Sequence, residues 1–142
     1  MGFLAPAAGA RGVRLTSNER ALVRAINGVR ARHGLARLQI DVRLERAARS
    51  HSADMLKKDY FDHGDFAARM ARFHCRGRFL AENLAWGSGT LAAGTVVGMW
   101  LSSPGHRENL LHAGLRRIGV ATPVGPFQGY VSTVVTADFA GT

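Results

Sequence analysis

Six histidines and one cysteine carry much of the side-chain chemistry open to these 142 residues. An imidazole titrates near neutrality, moves protons and ligates metals. His33 and His51 fall on apolar helical faces, which fits core histidines with satisfied hydrogen bonds. His74 and His112 stand among arginines or at a helix end. His63 and His106 differ. They lie in glycine-containing turns or helix starts, Tyr60-Phe61-Asp62-His63-Gly64 and Ser102-Ser103-Pro104-Gly105-His106-Arg107. Cys75, between His74 and Arg76, is either a thiol made reactive by its basic neighbours or an incidental free thiol. A single cysteine excludes an internal disulfide framework and a thiolate zinc cluster. No GxSxG, HExxH, Walker loop, GxGxxG or CxxC is present.

Positioning these groups falls to a helical first part and a strand-rich end. Leu22, Ile26, Val29 and His33 share one helical face after a cap at Thr16 or Ser17, and Gly34 stops that helix. Asp41 caps a second helix with Leu44, Ala48, His51 and Met55 on one stripe. Residues 66–73 allow one or two helical turns, and 79–86 an extended segment. Thr90 can cap a third helix carrying Val96, Val97, Trp100 and Leu101. Its Gly94 and Gly98 each cost about 1 kcal/mol relative to alanine, so close packing is expected to compensate. Ser103-Pro104 predicts a fresh helix start, serine as cap and proline in the first turn. Arg117–Thr122 and Gly129–Phe139 predict strands joined by a loop at 123–126, with Val131, Val135, Ala137 and Phe139 on one face. Helices followed by a hairpin make the class α+β with an antiparallel sheet. Ile26, Leu44, Ala48, Met55, Trp100, Val135 and Phe139 are the expected core.

The charge is uneven. Sixteen basic and seven acidic residues lie in 1–78, and three of each in 79–142, for a net charge of +9. Such a footprint suits an anionic partner, nucleic acid, anionic lipid or acidic cell-wall polymer. Seventeen of the nineteen basic residues are arginine, scattered among acids with no basic run, so ordinary solvation is favoured and no dedicated nucleic-acid binding is expected. The uncharged stretches near 83–105 and 118–137 are broken by glycine and proline, so neither is expected to span a membrane. Residues 1–16, with an Ala8-Gly9-Ala10 triplet resembling a signal-peptidase site, are set apart as a tail: signal remnant, linker or engineering scar. Residues 17–142 form the expected domain.

Seven pieces, in this order and spacing, resemble one family. They are AINGVRARHGLARL (25–38), AARSHSADM (47–55), YFDH (60–63), AENLAWG (81–87), VVGMWLSSPGHRENLL (96–111), RIGV (117–120) and the closing DFAG (138–141). Together they resemble the CAP superfamily of cysteine-rich secretory proteins, antigen 5 and pathogenesis-related proteins, in its bacterial branch of small secreted single domains. The resemblance implies a three-layer α-β-α sandwich with a central antiparallel sheet. It also implies a cleft of two histidines and two carboxylates that holds a divalent metal in several members. Carried over by motif, His63 and His106 match the histidines and Glu82 the first glutamate. The second glutamate's place holds Ser103, a serine common in the bacterial branch. The family's disulfides and lipid-associated segment are lacking.

What that cleft does stays open at this level. Two imidazoles and one carboxylate suit zinc, with His63 and His106 as ligands and water in an open position. Glu82 either joins them or orients a histidine from outside the ligand set. Alternatively, the three form a hydrogen-bond network that only rigidifies the cleft. The start of the helix at Pro104 disfavours an imidazolium at His106. Asn27, Arg30 and Asn83 are expected to bond backbone, Trp86 and Trp100 to lie in the core, and Tyr60 and Phe61 to wall the cleft. The reading that follows is an extracytoplasmic protein, secreted, periplasmic or on the cell envelope, that binds a small ligand, a lipid or sterol, or a cell-wall polymer. It is more a binding protein than an enzyme. The alternative is a metal-dependent, peptidase-like hydrolase with Glu82 as the catalytic base on a metal-bound water.

Overall fold

Residues 12–142 are described by a computed structural model, so the Ala8-Gly9-Ala10 triplet lies outside the described residues. Helix α1 (Ser17–Arg32) opens on a capping box in which Thr16 and Glu19 each satisfy the other's backbone N–H. A two-residue strand β1 (Gln39–Ile40) leads to α2 (Val42–Lys58), capped by Asp41. There follow α3 (Phe66–Arg72), β2 (Leu80–Ser88), α4 (Ala93–Leu101) and α5 (Pro104–Leu110). Strands β3 (Leu115–Ala121), β4 (Val124–Phe127) and β5 (Tyr130–Gly141) complete the chain.

Strand β5 is the axis. It pairs antiparallel with β2 along one edge, and with β3 and then β4 along the other. Successive side chains of a strand point to opposite faces, and here both faces are covered. Val135, Ala137 and Phe139 pack with Leu22, Ile26, Val96, Val97 and Trp100 of α1 and α4, and with Leu110 of α5. Val134 and Ala140 face the other way, toward Leu44, Ala47 and Met55 of α2 and Met70 of α3. The result is the expected α-β-α sandwich, and all seven expected core residues are buried.

Several local expectations are corrected. The bridge before Asp41 contributes β1, which runs parallel to β3, so the otherwise antiparallel sheet has one short parallel ladder. The loop expected at 123–126 overlaps β4, and its turn onto β5 uses positive φ at Gln128 and Gly129. Val131 lies beyond the helical cover and is 63% exposed. Helix α4 starts at Ala93 after an uncapped Ala92, not at Thr90. Gly94 and Gly98 face open space, so close packing does not explain them. His33 is exposed because α1 ends at Arg32, leaving His33 as the C-cap with its ring on the Val29 carbonyl. The buried polar residue near the end of α1 is instead Arg30, whose guanidinium donates to the carbonyls of Ala36, Leu110, His112 and Leu115. Asn27 donates to and accepts from the Leu38 backbone. Both fit the expectation that they bond backbone.

Glu45 joins α2 to the sheet. Its Oε2 accepts from the Val120 N–H at 2.7 Å, and Oε1 lies 3.2 Å from Arg49 Nε, while Arg49 Nη2 pairs with Glu19. Burial, reinforced by the charge of Glu19, pushes its carboxyl up to about 7 from an ordinary value of 4.5. The folded state therefore binds this proton more tightly than the unfolded chain. The associated stability is fully present below about pH 4.5 and is lost as pH rises through about 7. Glu45→Gln keeps an acceptor for Val120 and cannot ionise. Relative to wild type it is expected to gain about 2–3 kcal/mol between pH 4.5 and 8, read from urea unfolding at each pH. A constant difference between the two proteins would show that Glu45 does not titrate in that range.

Candidate functional site

Strand β2 is an edge strand, and side chains of α4 and α5 reach its outer edge. Two of its carbonyls are taken by side chains. Trp100 Nε1 donates to Leu84 O at 2.9 Å, and Asn109 Nδ2 to Glu82 O at 3.3 Å. Neighbours Glu82 and Asn83 point to opposite faces, and each grips one of the two predicted histidines. Glu82 Oε1 accepts from His63 Nδ1 at 2.8 Å on the α2–α3 side. Asn83 Nδ2 donates to the backbone carbonyl of His106 at 3.0 Å on the α5 side, and its own oxygen accepts from Asn109. The fold thus brings together residues 19 and 24 positions apart.

Glu82 is the centre of the arrangement, with its side chain only 2% exposed. Its second oxygen takes Arg69 Nη2 at 2.5 Å. Arg69 also donates from Nη1 to the carbonyl of His63, fixing the loop that carries that ring. His51 comes within 3.9 Å of Glu82 but spends Nε2 on the Asp62 carbonyl at 2.8 Å. Burial alone raises the Glu82 carboxyl, yet Asp138, Arg69 and His63 together hold it below the usual range. Burial and then the charge of His63 lower His106, so the two imidazoles stand within electrostatic reach of one another. Burial also lowers His51, keeping it neutral near pH 7.

With Nδ1 committed to Glu82, His63 presents Nε2 outward from a side chain that is 52% exposed. Half-buried His106 is the second imidazole of the site. Glu82 has both oxygens engaged, and among the described residues no three His, Cys, Asp or Glu side chains are gathered to hold a metal ion. Of the two roles left open for Glu82, its bonds to His63 and Arg69 fit the one outside a ligand set, orienting a histidine. Ser103 stands at the N-cap of α5, but its hydroxyl makes no cap bond.

Three participants escaped the sequence reading. Arg69 carried no signal among seventeen arginines. His51 is a buried, satisfied histidine as expected, yet it also borders Glu82. Asp138 is the lone acid in an otherwise uncharged strand, and that was the available signal. It is fully buried, pairs directly with Glu82, and burial followed by the charge of Glu82 raises its carboxyl well above the ordinary value. Tyr60 walls the site from the α2 side, its ring edge-on to His51 and its hydroxyl on Asp54 at 2.6 Å. Phe61 is exposed, Trp100 lies in the core, and Trp86 packs edge-on to Phe127. Cys75 is buried, which pushes its thiol up to about 11, the opposite of a reactive thiolate. A groove of about 610 Å³ between α2 and α3 borders the site through His51, Gly64 and Arg69. No helix among the described residues is long and apolar enough to cross a membrane.

Comparison with known proteins agrees with this fold. The model of the cysteine-rich secretory protein family, CAP, matches residues 23–139. The uncharacterized protein YkwD of Bacillus subtilis is 35% identical over 134 residues, covering 89% of this chain and 48% of that protein. The chain thus spans about half the length of this curated relative, and less of a second. Among solved structures, an extracellular protein containing a SCP domain from Bacillus anthracis superposes with a TM-score of 0.72 at 26% identity, over 92% of this chain and 45% of that one. An outer surface protein from Borrelia burgdorferi gives 0.72 at 23% identity, over 92% and 97% of the two chains, and supports the fold.

Proposed function

Because the chain belongs to the cysteine-rich secretory protein (CAP) family, we propose that it is an extracytoplasmic binding domain whose His63 and His106 take a divalent cation. Around that cation it would bind an oxygen-bearing group of a small ligand or cell-envelope component. The extracellular relative with the SCP domain supports the location. The observation that carries the site is the 2.8 Å bond from His63 Nδ1 to buried Glu82. A histidine whose inner nitrogen is held by a carboxylate presents the outer nitrogen in a fixed direction, the usual support of a metal-bound imidazole. The donor set fits such an ion through two imidazoles, and a bound cation would polarise an attached oxygen.

Charge sets the strength. Arg69 cancels Glu82 and Ser103 adds no carboxylate, so the site offers little negative charge to a cation. Weak binding follows. A hydrolase would need Glu82 free to accept a proton, whereas both of its oxygens are bonded. Binding therefore outranks catalysis here. Zinc titration followed by imidazole NMR tests the reading. The His63 and His106 ring signals are expected to shift together while those of exposed His33 stay put. Equal shifts at His33 and at the site would reduce the effect to surface histidines.

A further inference from the structure

We propose that Asp138 is a proton-bearing positioning residue whose carboxyl O–H holds Glu82 from the centre of the sheet, while Glu82 holds His63 at its edge. This deepens the reading of the His63–Glu82 pair given above and rests on it. Asp138 and Glu82 are directly opposed across β5 and β2, on the face covered by α2 and α3. Directly opposed residues of an antiparallel pair have Cβ atoms about 4.5–5.5 Å apart, so the two carboxyl groups share one buried space. Both are almost wholly removed from solvent. Two carboxylates this close cannot both ionise without a counter-charge for each.

The counter-charges are unequally divided. Glu82 has Arg69 on one oxygen and the His63 N–H on the other. Neither oxygen of Asp138 has a donor. Across the opposite ladder its partner is Gly119, which brings no side chain, and the acid facing it from α2 is Glu45. An ionised, fully buried carboxylate without a donor would carry the whole cost of its desolvation. A proton on Asp138 removes that cost and turns the unpartnered group into a donor. Its acceptor is the carboxylate directly opposite on β2, Glu82. The carboxylate is then gripped from three sides, and the direction of the His63 ring is set by the central strand as well as by the loop.

Metal-free protein serves for the test, so a failure of cation binding would leave these readouts untouched. With 13C-carboxyl-labelled aspartate at pH 7, the six aspartates are expected to give five ionised signals and one protonated signal. The protonated one should vanish in Asp138→Asn. Six ionised signals, or a protonated signal that survives in Asp138→Asn, would overturn the proposal. The positioning role is read from the His63 Nδ1 proton, which a hydrogen bond to carboxylate moves downfield. Asp138→Asn keeps a donor toward Glu82 and is expected to retain that signal. Asp138→Ala removes the donor and is expected to lose or shift it. Identical behaviour of the two variants would overturn the positioning role. Should Asp138→Ala fail to fold, the wild-type and Asn spectra decide: a signal lost in the Asn variant counts against it.

Discussion

Glu82→Ala is expected to destabilise the fold by about 3–5 kcal/mol, the usual cost of breaking a buried ion pair by removing one partner. The deletion strands more than one group. Arg69 is largely buried and keeps its charge with only the His63 carbonyl left to accept from it, since its Nε already lacks an acceptor. His63 loses the bond that orients its ring, and Asp138 loses its acceptor. The His63 loop should loosen with it, because Arg69 holds the carbonyl of His63 only while its own position is fixed. Glu82→Gln should cost less, about 1–3 kcal/mol, because the amide retains one acceptor while its NH₂ opposes another donor. Urea unfolding at pH 7 measures both. An alanine variant losing less than about 1 kcal/mol would mean that the cluster is solvated and not a buried network.

The second large effect lies away from the cleft, at Gly119. A Cβ there would fall 2.1 Å from the backbone nitrogen of Glu45 and 2.2 Å from the carbonyl carbon of Leu44. Both atoms belong to the helix packed on β3, so no side chain can swing aside. Gly119→Ala is expected to cost about 3 kcal/mol or more, at or beyond the usual upper end for overpacking, and to separate α2 from the sheet. Gly98 is the matched control. It sits in α4 with nothing within 4 Å of a built Cβ. Gly98→Ala is therefore expected to stabilise by roughly 0.5–1 kcal/mol through helix propensity. Thermal melts of the two variants should move in opposite directions. A tolerated Gly119→Ala would contradict the contact between α2 and β3.

Much of this architecture was legible because it is periodic. Leu44, Ala48, His51 and Met55 fall on one helical stripe, and Val135, Ala137 and Phe139 alternate on one strand face, so burial followed from spacing. What escaped depended on partners distant in sequence. Strand β4 contains Gly125 and Pro126, which argue for a loop, and it exists because β5 is long enough to pair with it beyond the end of β3. His33 lies on the apolar face by spacing, but the helix stops one residue earlier. The candidate site divides in the same way. His63, Glu82 and His106 stand out through the motifs around them. Arg69, which fills the role of counter-charge to Glu82, is one arginine among many until α3 folds against β2. Asp138 could be seen as an isolated acid in an apolar strand, but its partner is known only once the β2–β5 register is known.

The central claim is that His63 and His106 act as one site, His63 braced by buried Glu82. Calorimetric titration of zinc into untagged protein tests it most directly, comparing wild type with His63→Ala and His106→Ala. The account predicts weak, one-to-one binding by the wild type and at least a tenfold loss in each variant, equivalent to about 1.4 kcal/mol. Equal binding by wild type and His106→Ala would contradict it, even with the His63–Glu82 bond intact.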